Sequence, residues 1–252
     1  AISIAFPNPR LYTNWDLCQR FLPQADTCIE LIKQWHLASA ESIQLLNRCG
    51  YYVMRRGRYD EAERFYQQAL DLGKEALGQE DPVFAETLFR LGEFLYIKGN
   101  YPESERLYQQ ALAIRERSLG SNHPDVALSL HNLALLYAEL GRKPAEREAL
   151  YLRALEIWEQ ALGPRDPSIA EGLNNLASFY RRQRRFDEAE TLLHRALSIR
   201  KEAFGPENPD TVLSMEALAE VYLSQGKDDL AEPLLRDGLA MCERVLGQEH
   251  PY

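Results

Sequence analysis

The stretch ALAIRERSLGSNHPDVALSLHNLALLY (111–137) contains a pattern that recurs along this 252-residue chain. Its central LGSNHP (119–124) has four counterparts in which a glycine precedes a proline by four residues: LGQEDP (77–82), LGPRDP (162–167), FGPENP (204–209) and LGQEHP (246–251). The prolines lie 42, 43, 42 and 42 residues apart. A second ladder keeps the same spacing and consists of Ala69, Ala111, Ala154, Ala196 and Gly238. Two ladders in one register predict a repeat protein.

Each unit of the pattern is typical of two helices joined by a short turn. In the second repeat, leucines at helical spacing predict a first helix over 83–98, and Gly99 supplies the residue that ends it. The second helix is expected over 102–119, with proline in its first turn. No segment alternates with a period of two, so strands are not expected. The residues before the prolines are predicted N-caps, namely Asp81, Asp166 and Asn208, with His123 in the same place.

Small residues recur once per unit in the first helix, at Gly50, Gly92, Ala134, Ala177 and Ala219. Two helices approach closely only where the side chains between them are small. We therefore expect the two helices of each unit to cross at these positions.

Composition and charge exclude several classes of protein. The net charge is −9, whereas a nucleic-acid binder usually carries a basic surface, so nucleic acid is disfavoured as a ligand. The basic run over 181–185 is interpreted as a solvated helix end. No apolar stretch reaches the length of a membrane span. Cys18, Cys28, Cys49 and Cys242 form no CxxC pair, which indicates reduced thiols and a cytoplasmic location.

The sequence contains no recognisable catalytic constellation. The five histidines are His36, His123, His131, His194 and His250, and none has a second ligand at the spacing of a metal site. No glycine-rich phosphate loop occurs. We therefore expect neither enzymatic activity, nor a cofactor, nor a bound metal.

The first repeat carries the residues of a known motif at Gly50, Gly57, Tyr59, Ala62, Tyr66 and Ala69. This pattern resembles the tetratricopeptide repeat. The 42-residue form is similar to the repeats of kinesin light chains and to those of bacterial and fungal NB-ARC/TPR proteins, which are signalling NTPases. The resemblance implies an all-α, right-handed superhelical solenoid of antiparallel helix pairs.

The repeats are expected to follow a separate N-terminal part. Residues 1–41 are predicted to form an extended segment and a capping helix, and 6–35 resembles the segment that joins the NTPase core to the repeats. About five repeats then cover 42–252, at 42–81, 82–123, 124–166, 167–208 and 209–252. The capping helix is predicted to bury Leu17, Phe21, Ala25, Cys28, Leu31, Ile32 and Trp35.

The resemblance also implies a peptide-binding groove lined by the first helices. Carried onto this sequence, its positions are Asn47, Arg48, Tyr51, Phe89, Arg90, Glu93, His131, Asn132, Leu135, Asn174, Asn175, Ser178, Arg181 and Arg182. Asparagine amides can donate to and accept from an extended chain, arginines can pair with acidic groups, and aromatic rings can anchor a ligand.

These patterns predict a protein- or peptide-binding module, the sensing or partner-recognition part of a larger signalling NTPase. Two alternatives stay open: a cargo adaptor of the kinesin light-chain kind, and a self-associating scaffold. The array is expected to continue past Tyr252, which would leave Leu235, Leu239 and Val245 exposed and able to pair. Irregularities are expected in repeat 3, which has an extra residue between Gly141 and Ala154, and at Arg184, which replaces a glycine.

Overall fold

The computed structural model describes residues 6–9, 14–35, 37–206 and 208–246 of the chain. These residues contain no β-strand and form eleven α-helices. The helices are α1 (Trp15–Gln34), α2 (Ala40–Arg55), α3 (Tyr59–Ala76), α4 (Pro82–Ile97), α5 (Tyr101–Leu119), α6 (Pro124–Glu139), α7 (Pro144–Leu162), α8 (Pro167–Arg182), α9 (Phe186–Phe204), α10 (Pro209–Ser224) and α11 (Asp228–Leu246).

The chain divides into two compact units, one up to Leu140 and one from Gly141. In unit 1, α2 packs against α3 and α4 against α5, while each second helix also contacts the next first helix. In unit 2, α8 pairs with α9 and α10 with α11 in the same way. The boundary falls at the turn where the sequence has its extra residue. The division into five repeats stays a prediction.

Four of the first helices are capped by the side chains that the sequence singled out, whereas α2 is capped by Ser39. Asp81 accepts a hydrogen bond from the Val83 amide at 2.7 Å, and His123 Nδ1 accepts one from the Asp125 amide at 3.1 Å. Asp166 and Asn208 cap α8 and α10 in the same manner. Each cap satisfies an amide that the helix itself leaves unpaired, and the following proline lacks an N–H to satisfy.

Small residues lie where the paired helices cross, as the repeat pattern predicts. A Cβ added to Gly50 would lie 2.8 Å from the Tyr66 ring, and one added to Gly92 would lie 3.0 Å from the Tyr108 ring. Both tyrosines are buried, so the glycines make room for an aromatic ring between the helices of a pair.

The capping helix α1 covers one side of unit 1 with a different face from the one expected. Cys18, Leu22, Ala25 and Ile29 are its buried residues and belong to the same core as α2 and α3. Of the predicted face, Ala25 is buried, Cys28 and Ile32 are half-buried, and the remaining prediction is wrong: Leu17, Phe21, Leu31 and Trp35 are exposed. Apolar residues lie on both the buried and the exposed face of this helix, so its periodicity alone did not distinguish the packed stripe from the open one.

Candidate functional site

The first helices of unit 1 form a cleft of about 260 Å³ between α2 and α4. We call it cleft A. Its lining consists of Asn8, Pro9, Gln44, Asn47, Arg48, Tyr51, Glu86 and Arg90. Four predicted groove residues, Asn47, Arg48, Tyr51 and Arg90, therefore meet here. Residues 8 and 9 come from the N-terminal segment, which the sequence did not connect with the groove.

Arg90 lies in cleft A but is neutralised by its own neighbours. Its Nε donates to Glu86 Oε1 at 2.7 Å and its Nη1 donates to Glu93 Oε2 at 2.8 Å. The guanidinium carbon also lies 5.0 Å from the centre of the Tyr51 ring, within the range of a cation–π contact. Arg90, Glu93 and Tyr51 thus form one cluster. Arg90 contacts the other members and is paired with carboxylates, so it is not a free cation.

Asn47 and Arg48 have structural partners as well as positions in the cleft. Asn47 Nδ2 donates to Thr87 Oγ1 at 2.9 Å, which links α2 to α4. Its buried Oδ1 has no hydrogen-bond partner among the described residues. Arg48 Nη1 donates to the Phe6 carbonyl at 3.2 Å and so fastens the N-terminal segment to α2.

Two of the predicted groove residues are buried and line neither cleft A nor the cleft of unit 2 described below, and for these the expectation is wrong. Phe89 is 1% exposed and His131 is 2% exposed. Phe89 packs on the Tyr108 ring at 5.3 Å and under the Arg115 guanidinium at 4.5 Å. Burial lowers the pKa of His131 to about 4, because the imidazolium loses its hydration.

The remaining predicted residues of unit 1 are half-buried on α6. Asn132 Nδ2 donates to the Leu128 carbonyl of its own helix at 3.0 Å, and Leu135 lies one turn further along. Neither residue is among those that line cleft A.

Unit 2 has a corresponding cleft between α8 and α10, of about 490 Å³. We call it cleft B. Its lining consists of Pro167, Ser168, Glu171, Asn174, Asn175, Arg200, Phe204, Asp210 and Leu213. Of the predicted residues it includes Asn174 and Asn175. Ser178 is half-buried, Arg182 is exposed, and Arg181 pairs with Glu220 at 3.0 Å, so these three lie on the same helix outside the cleft lining.

The two clefts occupy equivalent places in the repeat. Gln44, Asn47 and Arg48 of cleft A correspond to Glu171, Asn174 and Asn175 of cleft B, which lie three repeats later in the sequence. The asparagines have the same role, since Asn174 Nδ2 donates to Ser214 Oγ at 3.2 Å just as Asn47 donates to Thr87. Each of these asparagines joins consecutive first helices.

Sequence reasoning missed the buried arginines near the clefts. Arg115, only 1% exposed, donates to the Asp125 carbonyl at 3.1 Å, to Ser129 Oγ at 2.8 Å and to Glu86 Oε2 at 2.5 Å. Arg200 donates to the Asp210 carbonyl at 2.7 Å and to Ser214 Oγ at 3.0 Å. Burial lowers the pKa of Arg200.

A signal for these arginines was present in the sequence. One position of the repeat carries a hydroxyl group, at Thr87, Ser129 and Ser214. A second position carries the two arginines, Arg115 and Arg200, which are 85 residues apart. The signal was overlooked because charged residues on second helices usually indicate a solvated face.

Among the described residues, no helix is both long and apolar enough to cross a lipid bilayer. In the same part of the chain, no group of three His, Cys, Asp or Glu side chains is arranged to hold a metal ion.

Comparison with known families identifies the repeat. Models of the tetratricopeptide repeat match residues 83–150 and 168–244, and a further model of the same repeat matches 43–83. The first two matches alone cover more than half of the chain. The matches include the helices α2, α4, α8 and α10 that form the two clefts, apart from the N-terminal ends of α2 and α8.

Solved structures share this fold at low sequence identity. BtubC (BKLC) from P. vanneervenii aligns with a TM-score of 0.77 and 23% identity, over 93% of this chain and 94% of that one. A Podosopora anserina protein described as a kinesin light chain with nearly identical TPR-like repeats aligns with a TM-score of 0.67 and 24% identity, over 84% and 99%. A Rap protein in complex with competence and sporulation factor aligns with a TM-score of 0.66 and 19% identity, over 80% and 54%.

One curated relative is similar over a short region. It is a nucleotide-binding leucine-rich repeat (NLR)-like protein of Hyaloscypha variabilis, 39% identical over 72 residues. The matched region is 28% of this chain and 7% of that protein. The chain therefore corresponds to a small part of this relative.

Proposed function

The chain belongs to the tetratricopeptide repeat family, and we propose that it binds extended peptide segments of a partner protein in clefts A and B. Members of this family are protein-interaction modules, generally without catalytic activity. The proposed ligand is a polypeptide because the clefts present amides, a tyrosine ring and guanidinium groups rather than a catalytic set. We propose no enzymatic step for this chain.

The observation that carries the proposal is the recurrence of one cleft at equivalent places in both units. Gln44 of cleft A is half-buried, and its amide can donate to and accept from a peptide backbone at the same time. The buried, unbonded Oδ1 of Asn47 adds an acceptor that an N–H entering the cleft would satisfy. An unsatisfied buried acceptor costs about 1–3 kcal/mol, so such a donor gains free energy on binding.

Similarity to the Rap protein supports the proposal by analogy. That protein is seen in complex with competence and sporulation factor, and it shares the fold of this chain. At 19% identity the likeness extends to the fold alone, so the residues that contact a ligand are argued here from the clefts themselves.

The wider setting that we propose is the sensing part of a signalling NTPase in the cytoplasm. The NLR-like relative supports the NTPase, and the free thiols of Cys18, Cys28 and Cys49 agree with a reducing compartment. A cargo adaptor of the kinesin light-chain kind is the alternative. The flanking sequence of the full-length protein distinguishes them, since an NTPase core supports the first and a heptad coiled coil the second.

A peptide selection tests the binding proposal. Random dodecapeptides displayed on phage are selected on the chain, and the enriched peptides are measured by fluorescence anisotropy. We expect Gln44→Ala combined with Arg48→Glu to weaken binding at least tenfold in peptides that use cleft A. Gln67→Ala, on the exposed side of α3, is the matched control and should leave affinity unchanged. Equal affinity of both variants would refute the assignment of cleft A.

Self-association is a second candidate function, favoured by exposed leucines at the C-terminal helix. Leu230, Leu235 and Leu239 are exposed on α11, Leu239 by 63%. The sequence predicted this exposure for Leu235 and Leu239. Val245 lies outside the residues whose side chains the structure describes. Sedimentation velocity at several concentrations tests this function: Leu235→Glu with Leu239→Glu should convert a concentration-dependent dimer to a monomer, whereas a monomeric parent chain would exclude it.

A further inference from the structure

A third cleft opens on the other side of unit 1, between the second helices α3 and α5. We call it the second-helix cleft; its volume is about 420 Å³. The lining consists of Leu70, Lys74, Gln79, Glu80, Phe84, Leu88, Arg106, Leu107, Gln110, Ala113, Ile114 and Arg117. It shares no residue with cleft A, so a ligand here would not compete for the same side chains.

The floor of the second-helix cleft is apolar. Phe84 and Leu88 of α4 form its base, with Leu107 and Ile114 of α5 at one side. All four are buried in the chain while still lining the cleft. A floor of this kind gains free energy by covering a bulky apolar side chain, at roughly 25 cal/mol per Å² of apolar surface removed from water.

The rim of the same cleft is cationic, although the chain as a whole has a net charge of −9. Arg117 forms two hydrogen bonds with Glu80, of 2.5 and 2.9 Å. Arg106 donates to both oxygens of Glu103 and to Gln110. Lys74 makes no ion pair with any residue that the structure describes, so its ammonium group remains for a ligand.

The equivalent place in unit 2, 85 residues later in the sequence, is closed by charges of opposite sign. Glu159 stands where Lys74 is, and Arg195 stands where Gln110 is. Arg195 Nη1 donates to Glu159 Oε1 at 2.5 Å and so bridges α7 and α9 across the position of the cleft.

A further ion pair of the rim is present in both units, with the two charges exchanged between the helix and the connector. Arg165 and Glu202 pair in unit 2 where Glu80 and Arg117 pair in unit 1. The apolar floor is nevertheless kept, with Ile169, Leu173 and Ile199 buried in the equivalent positions. The difference between the units therefore lies in the rim. In unit 2, Glu159 and Arg195 bridge the two second helices across the cleft position, whereas Lys74 and Gln110 of unit 1 form no such bridge.

We propose that the second-helix cleft is a second binding site, for a peptide segment in which a bulky apolar side chain is flanked by carboxylates. The apolar side chain covers the floor formed by Phe84, Leu88 and Leu107. A flanking carboxylate pairs with Lys74, which has no carboxylate partner of its own. This site is independent of the ligand proposed for clefts A and B.

Three synthetic peptides test both halves of the proposal. The probes are the acetylated hexapeptides Glu-Glu-Phe-Leu-Glu-Glu, Gln-Gln-Phe-Leu-Gln-Gln and Glu-Glu-Ala-Ala-Glu-Glu, titrated into the ¹⁵N-labelled chain and followed by NMR. We expect the first peptide to shift the amide signals of Leu70, Lys74 and Leu107. The glutamine peptide, which lacks the carboxylates, and the alanine peptide, which lacks the bulky apolar side chains, should each bind at least fivefold more weakly than the first.

A transplant of the unit 2 rim provides the decisive variant. Lys74→Glu with Gln110→Arg recreates the Glu159–Arg195 bridge and should weaken the first peptide at least tenfold. Lys74→Arg keeps the charge and should bind within twofold of the parent, and Lys98→Glu reverses a lysine at the turn after α4 as the matched control. If the transplant does not fold by circular dichroism, Lys74→Gln alone replaces it, with an expected loss of at least threefold.

Several results would overturn the proposal. One is equal binding of the charged and uncharged peptides, and another is undiminished binding by the variant that lacks the Lys74 charge. Shifts confined to Gln44, Arg48 and other residues of cleft A would assign the peptide to that cleft instead. The absence of shifts at millimolar concentrations of the first peptide would also exclude the site.

Discussion

Cleft A of unit 1 and cleft B of unit 2 lie at equivalent places in the repeat and differ in their charged side chains. Cleft A has two arginines, Arg48 and Arg90, with one carboxylate, Glu86. Cleft B has one arginine, Arg200, with two carboxylates, Glu171 and Asp210. The shared helix pair positions the cleft, and the variable side chains decide its charge. A family resemblance therefore locates such sites better than it identifies their ligands.

The buried arginines give the largest expected difference between the units. Arg115→Ala removes one of the two arginine partners of Glu86 as well as the bonds to Ser129 and the Asp125 carbonyl, and breaking a buried ion pair costs about 3–5 kcal/mol. Arg200→Ala removes the hydrogen bonds to the Asp210 carbonyl and Ser214 Oγ together with the electrostatic attraction of Asp210 and Glu171, and it should cost about 1–3 kcal/mol. Urea denaturation measures both. Equal losses would mean that Glu86 contributes little to the difference between the units.

The crossing of paired helices gives the next effect. Unit 1 combines Gly92 with Tyr108 where unit 2 has Ala177 and Leu193. Gly92→Leu should destabilise by about 2–3 kcal/mol, because even a Cβ would lie 3.0 Å from the Tyr108 ring. Gly78→Leu is the control, since nothing lies within 4 Å of a Cβ there and the expected change is under about 0.5 kcal/mol. A melting temperature of Gly92→Leu close to that of the parent contradicts the crossing assigned here.

Acid should affect unit 1 through His131, which stands where unit 2 has Asn174. The pKa of His131 is about 4 in the folded chain and about 6.5 when unfolded, so the unfolded chain binds more protons between these values. Stability therefore declines as the pH falls from about 6.5 to 4, by roughly 2 kcal/mol at pH 5.

His131→Asn should remove that part of the acid sensitivity. The stability of the parent and the variant is compared by urea denaturation at pH 7 and pH 5, with exposed His194→Asn as the control. An unchanged difference between the two pH values in His131→Asn would show that other groups cause the acid response.

The smallest effect concerns the turn that ends the first helix. Arg184 has a φ of +63°, whereas Gly99 at the equivalent turn of unit 1 has a φ of +78°. A side chain in this left-handed region costs about 1 kcal/mol, so Arg184→Gly should raise the melting temperature by about 2–4 °C. Gly99→Arg should lower it by a similar amount. A lower melting temperature of Arg184→Gly would mean that contacts of the arginine outweigh its backbone strain.

The fold could be predicted from the sequence because its determinants are local and repeated. Proline at the start of α4, α6, α8 and α10, the capping residue before it and glycine at the turn act within a few residues, and each recurs. An irregularity was predicted at Arg184 because it replaces one of these glycines, and Arg184 has a φ of +63°.

The site was predicted less well because its determinants are not local. Phe89 and His131 share a repeat position with Asn47, yet Asn47 lines cleft A whereas Phe89 and His131 are buried and line neither cleft. The exposed face of α1 was mistaken for its packed face because both are apolar. Burial depends on which helix lies opposite, and a single helix pattern does not specify its neighbour.

The sequence by itself determined the period, the helix pairs and the places where small residues, caps and turns are needed. Only the tertiary structure decided which side chains those places expose, which arginines are buried and which clefts stay open. Helix formation and capping depend on residues close in sequence, so the repeat records them directly. Clefts A and B and the rim at Lys74 depend on pairs 30 to 40 residues apart, such as Asn47 with Thr87 and Arg195 with Glu159, and these pairs exist only once the helices have packed.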